Sequence, residues 1–412
     1  MVLAKVSLSA VFVFLLTFVL AYVVLAPHYA ALSSLSKSRP VSEEPEPAHE
    51  DDHLEEDHDE DHDDTPCDAA LLPISPDAPL NITIPDASIP ILPSRPAPHA
   101  LSDAQQIIPL FLNLSRATTW TSIANITLQA DTFEPEGLLR LGTDRYLLSC
   151  GEYTLPTQKF PPSDPIQNGT DRTPGAGYAH LMMFDAEGTL LANASISRRG
   201  TLEYHNGGID WDGERVWGVL GQYRPNTSAT VYTADADTLE AKSVLWHGDH
   251  LGAVAVEPVA GHKRRRHGGR RITSLNWGGR TASIFQLPEA DDNDDDDDVC
   301  IIARRPRRVT TNPSHFVDYQ DCKYLGPWGA SQTLMLCSGV ASLDDRYSLG
   351  GLALVDIDTM QPVAEVPVAL RSEAGVRMTQ NPVDVSVHDG RLRFYWVPDQ
   401  HNSTLYIYEA EA

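Results

Sequence analysis

The sequence predicts an all-β globular part folded as a β-propeller, five-bladed and closed by an N-terminal strand, behind a disordered stalk and one transmembrane helix. Three observations predict it. From Ile123 onward the chain reads as short strands separated by turns, with no long stretch of 3.6-residue period. Five segments of that part open on a similar loop, strand and turn. What precedes it is first continuously apolar and then rich in Pro, Asp, Glu and Ser.

The N-terminal elements come first. Residues 1–5 are a short tail, read as cytosolic. Val6 to Ala26 is an apolar run of 21 residues, interrupted only by Ser7, Ser9 and Thr17. A bilayer core needs about 20 apolar residues as a helix, whereas the apolar core of a cleavable signal peptide is about 7–15 long. Pro27 closes the run with no small-x-small cleavage site after it, so a signal anchor is expected at residues 6–26. A signal peptide that is cleaved to release a secreted protein is the alternative. Lysines and arginines flank the run on both sides (Lys5; Lys37 and Arg39) and do not orient it. The sequons do. Asn81, Asn113, Asn125, Asn168, Asn193, Asn226 and Asn402 each begin N-x-[ST] without an intervening Pro, 7 of the chain's 12 Asn. They predict a glycosylated, single-pass type II protein with its bulk lumenal or extracellular.

Residues 27–106 have few aromatic residues and no helical or strand periodicity. Such a segment cannot bury enough apolar surface to offset its ordering entropy, so a disordered stalk is expected. Within it His49, His53, His58 and His62 alternate with carboxylates. That tract is a solvated acidic spacer or a weak metal-binding and pH-titrating segment.

Charge is local. The chain of 412 residues carries 57 acidic against 31 basic residues, a net −26. Residues 43–64 hold 14 acids and residues 289–298 hold 8, which leaves the remainder at −4. This excludes a basic nucleic-acid binder. The basic run Lys263–Arg266, with Arg270 and Arg271, and the acidic run Asp294–Asp298 flank a strand-like segment, Ile272 to Leu287. They read as oppositely charged surface loops; a proteolytic processing site or an anion-binding patch is the alternative for the arginines. Five cysteines, Cys67, Cys150, Cys300, Cys322 and Cys337, leave at least one unpaired within the chain. Cys67 in the stalk is the natural leftover, and Cys322 with Cys337 is the candidate disulfide.

The propeller domain is expected over residues 107–412. Its units open at Pro135–Gly142, Asn206–Gly213, Leu251–Val256, Tyr319–Gly326 and Pro382–Gly390. Asp212-Gly213 and Asp389-Gly390 mark tight hairpins, since Gly accepts positive φ. Second strands follow at Tyr146–Cys150, Val216–Leu220, Ile272–Trp277, Leu334–Cys337 and Leu392–Val397, and third strands at His180–Asp185, Ala229–Ala234, Ala282–Leu287, Gly351–Asp356 and Thr404–Tyr408. Fourth strands are expected at Leu190–Ile196, Ala241–Trp246, Val299–Ala303 and Val363–Val368. The fifth unit runs out of chain, and the lone strand Ile123–Gln129 is the candidate that completes it and removes the open sheet edges. A sixth blade is the alternative if one of the insertions, such as 156–178, is itself a blade.

Several motifs in this order carry a resemblance: His205-Asn206-Gly207-Gly208-Ile209-Asp210-Trp211-Asp212-Gly213, then Gln222-Tyr223-Arg224-Pro225-Asn226, Val317-Asp318-Tyr319-Gln320-Asp321-Cys322, and Gly350-Gly351-Leu352-Ala353-Leu354-Val355-Asp356. The chain resembles, over about residues 118–410, a group of secreted or anchored fungal and bacterial proteins defined only as a domain of unknown function. The resemblance implies a propeller-like fold and supplies no activity. In that group a His usually precedes the Pro135-Glu136-Gly137 position, where this chain has Glu134. More distantly the architecture is similar to calcium-dependent propeller hydrolases of the lactonase and arylesterase type, an analogy of fold alone.

In a propeller the loops entering the innermost strands converge on one mouth of the central channel. Here they carry Glu136, His205, Asp210, His250, Asp321 and Asp384. Glu136, Asp321 and Asp384 are the candidate metal ligands, for which calcium is the natural ion. His205 and His250 are the candidate catalytic bases beside it. Each has a structural alternative: the aspartates can hydrogen-bond strand-entrance amides, Glu136 can cap a turn, and the histidines can be satisfied within inner loops. Arg224 either binds a carboxylate in the channel or bridges blades. G-x-S-x-G, H-E-x-x-H, Walker A and G-x-G-x-x-G motifs are absent. Two function classes remain: a displayed propeller that binds a protein, glycan or small ligand, and a metal-dependent hydrolase.

Overall fold

A computed structural model describes residues 81–83, 95–258, 270–287, 305–343 and 346–411. The chain divides into residues 1–64 and 65–412, and the first unit, with the apolar run 6–26 and the His/acid tract, lies outside the described residues. Among the described residues no helix is long and apolar enough to cross a membrane.

The fold is a five-bladed β-propeller. Blade I consists of Glu134–Arg140, Arg145–Leu155, Ala176–Asp185 and Leu190–Ser195, with Asn81–Thr83 added antiparallel at its outer edge. In blade II the innermost strand is broken into His205–Asn206 and Asp210–Trp211; Val216–Gly221, Ala229–Ala234 and Ala241–His247 follow. Blade III is Ala253–Val256, Arg271–Leu275, Thr281–Gln286 and Arg308–Thr311. Blade IV is Asp318–Trp328, Gln332–Ser342, Ser348–Asp356 and Pro362–Val368. Blade V takes Val383–His388, Arg391–Trp396 and Thr404–Glu411 from the C-terminus and its outermost strand, Thr119–Thr127, from before blade I. The innermost strands touch one another in cyclic order, which closes the ring.

The strands bury both faces because every blade is sandwiched between two others. The core is accordingly divided into interblade layers. Met183 and Leu139 of blade I meet Trp211 and Tyr232 of blade II, and Val219 of blade II meets Val254 and Phe285 of blade III. Leu275 of blade III meets Met335 of blade IV; Leu354 of blade IV meets Phe394 and Trp396 of blade V; Tyr395 and Ile407 of blade V meet Leu148 of blade I. Cys322 and Cys337, register partners on adjacent strands of blade IV, form a disulfide, and Cys150 is free and buried.

Three local readings change. The fourth strand of blade III is Arg308–Thr311; Val299–Ala303, expected to fill that place, lies outside the described residues. The closing strand sits slightly earlier than Ile123–Gln129, at Thr119–Thr127. The folded body begins before residue 107. A 3-10 turn, His99–Leu101, and a helix, Ala104–Leu112, lie on the face where the innermost strands exit. The helix buries Ala104, Ile107, Ile108 and Phe111 in the layer between blades IV and V. That spacing is helical, but a nine-residue helix containing Pro109 is too short to stand out of a Pro-rich region. The preceding residues cross beneath blade II: Arg95 pairs with Asp235 and Asp237 at 3.1 and 2.9 Å, and the Trp211 indole donates to the Pro96 carbonyl at 2.8 Å.

Of the two charge runs, only Arg270 and Arg271 are described. They pair with Asp212 of blade II and Asp358 of blade IV, the latter at 3.0 Å.

The closing strand pairs along its length with Thr404–Glu411, and its half-buried Trp120 packs on blade V, the ring 5.6 Å from those of Phe394 and Trp396. Trp120→Ala is expected to lower unfolding free energy by about 2–4 kcal/mol, read by chemical denaturation.

Candidate functional site

The innermost strand of each blade has one edge with no strand beside it, and its amides must find acceptors along the axis. Three aspartates supply them. Asp321 Oδ2 accepts from the amides of Leu138 in blade I and Val383 in blade V, at 3.3 and 3.1 Å. Asp210 Oδ2 accepts from Val256 in blade III and Tyr324 in blade IV, at 2.9 and 3.1 Å. Asp384 Oδ2 accepts from Arg140 in blade I at 2.6 Å. Lys323, fully buried like Asp321, donates to both Asp321 oxygens at 2.8 Å and to the Ile209 carbonyl of blade II at 2.7 Å. Burial pushes the carboxyls of Asp210 and Asp321 up, to about 6 and about 7, against the opposing pull of Lys323.

At the exit face the axis is stopped. His99 gives Nε2 to Asp384 Oδ1 at 3.0 Å and Nδ1 to Asp103 at 2.8 Å; both partners are carboxylates, so both nitrogens carry protons. Burial opposes that charge, but the hydrogen bonds and charges of Asp103 and Asp384 outweigh it and raise His99 to about 10. In return His99 holds Asp384 below the usual carboxylate range despite burial, which acts the other way.

The entrance face is different. Gly207 and Gly208 break the innermost strand of blade II because its backbone passes too close to its neighbours for a side chain: a Cβ on Gly207 would lie 2.1 Å from the Gly252 carbonyl oxygen. Asn206 ties this break to blade I by donating to the His180 carbonyl at 2.7 Å, and it accepts from the Tyr232 hydroxyl at 2.7 Å. His205 is thereby set against Glu136, with Nε2 3.6 Å from Oε1. Four rings then form a closed circuit: His205 to Tyr223 at 5.0 Å, Tyr223 to Trp277 at 5.4 Å, Trp277 to His250 at 4.9 Å, and His250 to His205 at 5.4 Å. Tyr153 adjoins it, 5.8 Å from Tyr223 and 5.3 Å from Tyr204. The insertion, residues 156–175 in the structure, folds back on itself and leans on blade II, where Asn226 Nδ2 donates to the Gly169 carbonyl at 2.6 Å. It lays the Arg172 guanidinium over Trp277 at 4.6 Å and Tyr223 at 5.5 Å, while Asp171 pairs with it at 2.8 Å.

The mouth holds buried groups with nothing to bond to. Glu134 and Glu136 are 8% and 5% exposed, and His205 is 7% exposed. Glu134 Oε1 accepts from Gln400 of blade V at 2.8 Å, whereas Glu134 Oε2, the Tyr204 hydroxyl and His205 Nδ1 have no partner. Among the described residues no lysine or arginine forms an ion pair with either glutamate. Burial, with the charge of Glu136 added, raises Glu134 well above the usual carboxylate range. Burial raises Tyr204 and Tyr223 too, Glu134 acting on both. His250 Nδ1 donates to the Gln222 carbonyl at 2.7 Å, and burial depresses the ring to about 3, so it stays neutral with Nε2 unprotonated.

The structure therefore brings Glu136, His205 and His250 together and separates them from Asp321 and Asp384, whose oxygens are engaged by amides, Lys323 and His99. Among the described residues no three His, Cys, Asp or Glu side chains form a group able to hold a metal ion. The Arg224 guanidinium returns to Gln222 Oε1 at 2.7 Å, and among the described residues it bonds neither a channel carboxylate nor another blade. Glu134, Tyr204, Tyr223, Trp277 and Arg172 were not legible as site residues. Tyr223 lies inside a motif that stood out, and Arg172 in an insertion that did, but only the fold puts them over one mouth.

Residues 96–412 match the family described as "Family of unknown function (DUF6454)". No curated relative matches. Solved structures similar to this chain include "Crystal structure of glucose dehydrogenase" (12% identity, TM-score 0.35, 70% of this chain and 85% of that one). Another is "glucose dehydrogenase" (13%, 0.32, 70% and 99%). A third is "Kuenenia stuttgartiensis Hydrazine Synthase" (9%, 0.29, 54% of this chain and 53% of that one).

Two outcomes test the axis. Lys323→Met leaves the Asp321 charge buried and unpaired and is expected to cost about 3–5 kcal/mol in denaturation, most of it recovered by adding Asp321→Asn. His99, raised in the folded state from 6.5 to about 10, contributes stability that is complete below pH 6.5 and lost as pH rises through about 10. The melting temperature should fall across that interval, and His99→Gln should flatten the fall.

Proposed function

We propose that this chain, which belongs to the DUF6454 family of unknown function, is a ligand-binding propeller that takes a small polar molecule at its entrance mouth. The observation that carries this reading is the gathering of three buried polar atoms without partners: Glu134 Oε2, the Tyr204 hydroxyl and His205 Nδ1. Leaving a buried polar group unpaired costs about 1–3 kcal/mol each, and a bound molecule that pairs with them recovers that cost. The aromatic circuit beside them supplies flat apolar walls, the usual composition of a small-molecule site. Display of the propeller by an N-terminal anchor, on the lumenal or extracellular side, is the accompanying proposal. It rests on the apolar run 6–26 and on the sequons, of which Asn113, Asn125, Asn168, Asn226 and Asn402 are exposed. Asn193 is partly buried and holds His180 through its side chain, which makes it the poorest acceptor among those described.

The test is a thermal-shift survey of the full chain against amines, simple sugars, polyols and carboxylates. At least one class at about 100 times its dissociation constant should stabilise the protein by about 2.7 kcal/mol. Tyr204→Phe, which removes only a hydroxyl, should reduce the shift. A survey in which no compound shifts the wild-type protein overturns the reading.

A further inference from the structure

Resting on that reading, we propose that the mouth recognises a small organic cation, an ammonium or guanidinium compound, held between the carboxylates of Glu134 and Glu136 and the faces of Tyr223 and Trp277.

Charge comes first. Two carboxylates are buried two residues apart on one strand, and among the described residues the contacts to them supply little positive charge: Gln400 is neutral, and His205 is the one basic group that pairs with either, 3.6 Å from Glu136. The second oxygen of Glu134 has no donor at all. A ligand with N–H donors or a cationic head meets that deficit; a carboxylate or phosphate would be repelled by the same pair.

Shape points the same way. A circuit of four rings presents π faces that attract cations electrostatically, and such cages suit ammonium and guanidinium groups. Here the rings already face a cation. Arg172 lies 4.6 Å from the Trp277 centroid and 5.5 Å from that of Tyr223, carried in by the insertion 156–175 and paired with its own neighbour Asp171. Arg172 thus holds in the unliganded protein the faces that an incoming cation would use. Its removal strengthens cation binding, by freeing those faces and removing a like charge. The same removal would weaken binding of an anion, so the sign of its effect reports the charge of the ligand.

The experiment is calorimetric titration of the full chain with choline, agmatine, glycerol and acetate. The expected result is binding of choline or agmatine, and weaker or no binding of glycerol and acetate. Glu134→Gln, nearly isosteric, should weaken the cation at least tenfold, whereas Arg172→Gln should strengthen it several-fold. The preference for cation over acetate is read on the unaltered protein, so it stands even if a variant folds poorly. Cation binding that responds to neither substitution overturns the assignment to this mouth. Binding of glycerol or acetate but of neither cation overturns the ligand class and leaves the ligand-binding reading intact. If none of the four binds and the wider survey is also silent, both fail.

Discussion

A ring of blades leaves five strand edges pointing at its own axis, and the fold exists only if those edges find hydrogen-bond acceptors out of water. Asp210, Asp321 and Asp384 solve this with one side-chain type. Between them their carboxylates bond to amides of all five blades: Asp210 reaches blades III and IV and the next residue of its own strand in blade II, Asp321 blades I and V, and Asp384 blade I and the next residue of its own strand. An aspartate is short enough to sit between two backbones, and its carboxylate accepts several amides at once. The cost is buried negative charge. Lys323 answers it in the middle of the axis and His99 at the exit.

That arrangement also decides where a ligand can go. The exit is stopped by the segment around His99 and the middle of the axis is filled by the Asp321–Lys323 pair. At the entrance Glu134 Oε2, the Tyr204 hydroxyl and His205 Nδ1 remain unpaired. The break at Gly207 and Gly208 brings His205 toward Glu136, and the long insertion of blade I covers the result. The groups that hold the ring and the mouth proposed to bind a ligand therefore occupy different parts of one channel.

Most of the fold was legible because a propeller is repetitive. Strand-turn units recur, and Asp212-Gly213 and Asp389-Gly390 announce their hairpins; Asp389 and Gly390 do take φ of 49° and 76°. A closing strand follows once the last unit lacks a partner, as Thr119–Thr127 shows. What escaped were short segments whose structure is imposed from outside. The helix Ala104–Leu112 is held by its docking on blades IV and V, and too short for its own periodicity to declare it. Arg308–Thr311 has three exposed residues and one half-buried one, of mixed polarity, and only pairing with Thr281–Gln286 makes it a strand.

The sequence by itself determined the class of fold, the manner of closure, and the set of acidic and histidine residues that gather near the axis; it favoured five blades over six, and the structure decided for five. Local periodicity and turn chemistry carry that information. Which of those residues hold the ring and which face a ligand was decided only in three dimensions. Asp321 and Glu136 look alike as acids at strand entrances. One is buried where two amides and Lys323 converge, and the other beside a histidine and a second carboxylate with an unpaired oxygen. The difference lies in contacts between blades, between residues up to some two hundred positions apart, and no local pattern records it.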